Sequence, residues 1–148
     1  MAFSVSLLIL AFAIIHVAEE YFLGWLSWVR QFTNGITRTQ FFLWNSAFVL
    51  LCVVGLFYSS PTFRLSIASL LLINVLVHLI PTLIRRQYSP GLASALLLYL
   101  PIGAYSYFSA IRHTLASNHQ VLASIPLGAF WMSIPFLYQQ TRSSRLSA

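Results

Sequence analysis

The chain has no lysine and no aspartate, and only two of its 148 residues are acidic. Charged residues of every kind make up 7%, against about 25% in an ordinary soluble domain. That scarcity excludes a solvated globular surface. The single cysteine, Cys52, excludes an intrachain disulfide and says nothing about redox compartment. Alternation is missing as well, because the apolar runs are continuous and lack the period of two of a membrane barrel strand. No internal repeat, low-complexity tract or linker divides the chain, so residues 1–148 read as one integral membrane domain. "AFA" at Ala11–Ala13 has the small-residue pattern of a signal-peptidase site. No Lys or Arg precedes it and the apolar run continues past it, so the first segment is expected to be retained.

What is present is apolar: 59% of the residues are hydrophobic and 16% aromatic. Five stretches are long enough to cross about 30 Å of hydrocarbon, which takes roughly 20 helical residues. They are expected near Phe3–Trp25, Phe41–Tyr58, Leu65–Ile84, Leu92–Ile111 and Val121–Tyr138. The expected fold is therefore an all-α polytopic transmembrane bundle, since helices satisfy their own backbone groups in lipid. Pro101, Pro126 and Pro135 fall in the last two segments and leave a four-helix version open.

The net charge of +6 comes from eight arginines spread singly or in pairs between the apolar segments. A nucleic-acid binder gathers its cations on one face, so no nucleic-acid partner is expected and the bilayer is the partner. With five crossings, Arg30, Arg38, Arg85, Arg86, Arg142 and Arg145 fall on one side, and Arg64 and Arg112 on the other. That asymmetry predicts an inner-membrane protein with its N-terminus outside and its C-terminus cytoplasmic.

Against this background both carboxylates fall in "HVAEEY", near the end of the first segment. His16, Glu19 and Glu20 at i, i+3 and i+4 share one helical face. Asn74 and His78 share a face on the third segment, with Pro81 one turn further on. Counting at about 1.5 Å per residue puts Glu20 roughly 15 Å from Arg30, and His78 and Asn74 roughly 10 and 16 Å from Arg85. On the same count Asn45 lies about 10 Å from Arg38, and Tyr99 about 13 Å beyond Pro90. Ionisable groups at such depth cost about 2.5–3.5 kcal/mol on insertion scales, so they call for a partner or a function. His113 and His119 lie in an outer loop and are expected to have no site role. Trp25, Trp28 and Trp44 read as interfacial anchors.

Two adjacent carboxylates in low dielectric do not both ionise readily, so one is expected to keep a proton while the other is charged. With histidine nearby, the set suits general acid–base catalysis. The main expectation is a cofactor-free isomerase or cyclase acting on a lipophilic substrate. Glu19 and Glu20 would share the acid and base roles, with His16 and His78 relaying protons and Asn74 holding a substrate oxygen. Tyr88 would cap the site, and Pro90 and Gly91 would shape the turn. A second reading is a divalent metal held by His16, Glu20 and His78, a two-histidine, one-carboxylate set with open positions. A third is a non-enzymatic transporter or assembly protein. The oligomeric state stays open.

The motifs "HVAEE", "NVLVH" and "YSPG" together resemble the HXXEE family of small, mostly bacterial membrane proteins, whose members tend to carry NxxxH and YxPG. They match at His16/Glu19/Glu20, Asn74/His78 and Tyr88/Pro90/Gly91, over roughly Ala11 to Ile111. The resemblance implies a membrane bundle and marks these residues, but implies no reaction. The glutamate pair is also similar to the EExxxR pattern of intramembrane glutamate proteases, with Gly24 where the arginine would stand. A likeness to small helical sterol isomerases is one of chemistry alone.

Overall fold

The computed structural model describes residues 3–33 and 36–146, with residues 142–146 described by backbone alone. The side chains of Arg142 and Arg145, part of the arginine asymmetry, thus lie outside the description. Six helices follow one another, with no strand among the described residues. They are α1 (Phe3–Phe22), the short α2 (Trp25–Val29), α3 (Arg38–Phe57), α4 (Pro61–Arg85), α5 (Leu92–Arg112) and α6 (Asn118–Leu146). All but α2 are long and apolar enough to span a membrane, so the bundle has five candidate crossings rather than four.

The boundaries follow from local chemistry. The first helix stops at Phe22, short of the expected Trp25, because Gly24 takes a left-handed backbone with φ of 79° that a continuing helix cannot use. The chain then starts α2, an element the hydrophobic pattern did not announce. Thr37 and Gln40 form a reciprocal capping box at the start of α3, with Gln40 N–H donating to Thr37 Oγ1 at 3.2 Å and Thr37 N–H to Gln40 Oε1 at 2.8 Å. Ser60 caps α4 with Pro61 in its first turn. The Arg64 guanidinium donates to the carbonyls of Gly55, Leu56 and Tyr58, closing the end of α3. Ser117 and Gln120 cap α6, which runs on past the expected end of the fifth segment to Leu146.

Within α5 the turn Ala95–Tyr99 is wound as a π-helix, just before Pro101. Proline has no N–H and its ring crowds the carbonyl four residues back, so a wider turn relieves a conflict that a regular helix would keep. Pro81, Pro126 and Pro135 stay inside their helices.

The central element is α4, packed against α3, α5 and α6, while α1 packs on α3 and α5. Ile9, Ala13, Cys52, Leu71, Val75 and Tyr99 form its buried core. Small residues let α6 approach α4 closely: a Cβ on Gly128 would stand 2.7 Å from the Ser66 carbonyl oxygen. The outer faces expose Leu8, Ile15, Leu50, Leu83, Leu97 and Phe130. An apolar exterior around a core that contains serine, histidine and glutamate is the arrangement of a protein solvated by lipid. This is an integral membrane protein.

Candidate functional site

His16 and Glu20 stand one turn apart on α1, and His78 faces them from α4. Glu20 Oε1 lies 3.6 Å from His16 Nε2 and 3.3 Å from His78 Nε2. The side chains are almost fully enclosed, at 1% exposure for each histidine and 6% for Glu20. One donor atom from each lies within 4.8 Å of the others. The two imidazole rings meet edge to face, their centroids 5.0 Å apart.

The far nitrogens of both rings are held by serines. His16 Nδ1 lies 2.9 Å from Ser94 Oγ, and His78 Nδ1 lies 2.9 Å from Ser89 Oγ. The Ser94 hydroxyl donates its own proton to the Gly91 carbonyl at 3.2 Å. It therefore accepts from His16 Nδ1–H, and the neutral ring then presents a lone pair at Nε2. That lone pair points toward a carboxylate oxygen at a distance too long for a hydrogen bond. His16 Nε2 has no hydrogen-bond partner among the described residues. Two acceptors facing each other in a buried site repel unless a proton or a cation stands between them. Two ligand atoms each about 2.0–2.2 Å from one tetrahedral zinc-sized ion lie about 3.3–3.6 Å apart, the spacing of Glu20 from each histidine, and the three atoms together lie within 4.8 Å.

The other glutamate does something else. Consecutive helical positions diverge by about 100°, so Glu19 leaves the face of Glu20 and reaches the start of α5. Its carboxylate accepts from the Tyr88 hydroxyl and from the backbone N–H groups of Gly91 (3.1 Å), Ala93 (3.3 Å) and Ser94 (2.8 Å). These are the unpaired donors of a helix N-terminus, capped here by a carboxylate from another helix. The expected pairing of Glu19 and Glu20 as a shared acid and base is therefore not formed. Tyr88 holds Glu19 rather than covering the histidines. Its phenol is raised above the ordinary value, first by burial and then by the bond to Glu19.

Gly91 explains the YxPG turn. Its φ is +100°, and a Cβ there would stand 2.6 Å from His78 Cε1 and 2.9 Å from His16 Cε1. Only glycine gives the turn both its conformation and its closeness to the two rings.

The remaining expected residues surround the cluster. Tyr99, fully buried, lays its ring against His16 with centroids 4.5 Å apart. Asn74 lines the cavity beside the histidines, and its Oδ1 is buried without a hydrogen-bond partner among the described residues. Asn45 also lines it and donates to the Phe41 carbonyl of its own helix at 3.1 Å. His113 and His119 are exposed and remote in the chain from this cluster.

A cavity of about 450 Å³ opens from His16, Glu20 and His78 toward α2 and the start of α3. All four tryptophans of the chain line it, so Trp25, Trp28 and Trp44 are cavity walls as well as aromatic residues near helix ends. Sequence spacing did not single out Ser89, Ser94 or these indoles. Ser89 lies within YSPG and is within reach of the motif; Ser94 carries no local signal, and the tryptophans signal a membrane interface rather than a cavity. No curated protein and no solved structure matches the chain. Residues 7–106, more than half of the chain, match the family described as "Protein of unknown function with HXXEE motif", and the chain belongs to that family.

Proposed function

We propose that this protein is an intramembrane metalloenzyme that holds one divalent cation between His16, Glu20 and His78 and acts on a lipophilic molecule entering from the bilayer. The observation that carries the proposal is the buried His16 Nε2, without a hydrogen-bond partner among the described residues and converging with His78 Nε2 on Glu20. Two histidines and one carboxylate leave coordination positions open, as catalytic rather than structural sites do, and suit zinc or iron(II). A cation bound there supplies Lewis-acid polarisation of an oxygen and activation of water. Ser94 and Ser89 hold the rings from behind, the outer-shell role that orients histidine ligands. Glu19 and Tyr88 fix the turn that carries both serines and are positioning residues.

The proposal is tested by metal analysis of detergent-purified protein loaded in turn with zinc, iron(II) and manganese(II). One equivalent per chain is expected, with loss in His16→Ala and Glu20→Gln. A second reading keeps the same three side chains as a metal-free acid–base relay, favoured by the 3.3 Å approach of Glu20 to His78. Absence of stoichiometric metal under every loading condition selects it.

The orientation belongs to the same proposal. The arginine distribution supports an inner-membrane protein with its N-terminus outside and its C-terminus cytoplasmic. Reporter fusions to the C-terminus are expected to be active only when the reporter works in the cytoplasm. Activity of a periplasm-dependent reporter there reverses the assignment.

A further inference from the structure

The cavity wall away from the histidines contains donors without acceptors. Trp25 and Trp28 stand three residues apart on α2, and Gln40 stands in the first turn of α3. The indole Nε1 atoms of both tryptophans and Nε2 of Gln40 are buried and have no hydrogen-bond partner among the described residues. Trp28 and Gln40 are 7% and 6% exposed, and all three residues line the cavity. The orientation of the Gln40 amide is not arbitrary. Its Oε1 accepts from the N–H and the hydroxyl of Thr37 at 2.8 and 3.2 Å, which commits the NH2 end to the other side. Buried donors left unpaired are costly, so these three on cavity-lining residues call for an oxygen acceptor.

The charge of the acceptor follows from what else lines the cavity. No arginine lines it, and its one ionisable acid is Glu20. A phosphate or sulfate head at this wall would find neutral N–H groups and no lining cation. A carbonyl, ester or hydroxyl oxygen meets the same donors without that penalty. The rest of the wall is aromatic and aliphatic, including Phe32, Phe48, Leu51 and Ile134, and the volume is in the range of about 300–1,000 Å³ that holds small ligands.

We infer that the cavity takes an uncharged, oxygen-bearing lipophile. One oxygen of it satisfies the donors of Trp25, Trp28 and Gln40, and the rest of the molecule extends toward His16, Glu20 and His78. The inference deepens the metalloenzyme reading and rests on it for what happens at the far end of the molecule. The binding itself does not require the cation.

Photoaffinity labelling in bilayer nanodiscs tests it. The probe is a long-chain fatty-acid methyl ester bearing a diazirine, and the competitors are an alcohol, an alkane and an alkyl phosphate of equal chain length. Saturable labelling of α2 and α3 is expected, displaced by the alcohol and not by the alkane or the phosphate. Gln40→Glu keeps the oxygen that accepts from Thr37 and removes the donor, so the fold is retained and affinity for the probe falls about tenfold. Trp28→Phe lowers it several-fold while leaving the ring in place. Displacement by the alkane as effective as by the alcohol, stronger displacement by the phosphate, or unchanged affinity in both variants overturns the inference. Metal-stripped wild-type protein is labelled as well as the untreated protein. Failure of the metal analysis with saturable labelling therefore removes the metalloenzyme reading alone, and loss of labelling with intact metal stoichiometry removes the ligand class alone.

Discussion

At position 91 a single hydrogen atom separates a working turn from a collision. The backbone has φ of +100°, and the space a methyl would need is filled by both histidine rings. An alanine there meets the left-handed penalty of about 1–2 kcal/mol and also pushes His16 and His78 apart. Gly91→Ala is expected to lower thermal stability and abolish metal loading together, read by unfolding in detergent and by metal analysis of the same sample. Normal loading in the variant would show that the rings have room to move. At the same scale Glu20→Gln removes a buried charge, so the metal-free protein is expected to be at least as stable as wild type while losing the ion. The sequence spacing placed His16 and Glu20 on one helical face and His78 on a second helix, and the three side chains meet. It also grouped Glu19 with them, because a shared arc of about 100° says which residues face one way and not which partner claims each.

The N-terminus of α5 is capped from outside by Glu19, whose carboxylate accepts from three of its backbone N–H groups and from the Tyr88 phenol. Hydrogen bonds to a charged group contribute about 1.5–3 kcal/mol, less where the group is partly exposed as Glu19 is. Glu19→Gln is expected to cost about 1–2 kcal/mol of stability while retaining the metal, the reverse of Glu20→Gln. Loss of metal with unchanged stability in Glu19→Gln would put that carboxylate in the site. Tyr88 gives the junction a pH limit. Its phenol is raised above 10.0, so its bond to Glu19 is fully present below that value and is lost as pH rises through the folded value. Alkaline titration by tyrosine absorbance should therefore lose one late-ionising phenol in Tyr88→Phe. The YxPG motif was visible in the sequence as a turn, but its service to a glutamate on another helix was not. A cap supplied across 69 residues of sequence leaves no local signature. The π-turn Ala95–Tyr99 was equally silent, although Pro101 supplied its cause.

At the scale of the whole molecule, continuous apolar runs specify five crossings because lipid leaves a helix no other way to satisfy its backbone. Their ends were less legible: Gly24 cuts α1 short, and capping by Thr37, Ser60 and Ser117 extends the others beyond the apolar cores. The cavity was not legible at all. Its tryptophans come from α2, α3 and α6, and indoles near helix ends look the same in sequence whether they face lipid headgroups or an internal space. The bundle thus joins an apolar cavity to a buried cluster of two histidines and a carboxylate, with its second carboxylate spent on holding the wall in place. The measurement that tests this most directly is the metal content of four purified proteins: wild type, His16→Ala, Glu20→Gln and Glu19→Gln. One equivalent in wild type and Glu19→Gln, with none in the other two, is the predicted result; equal metal in wild type and Glu20→Gln, or none in wild type, would contradict it.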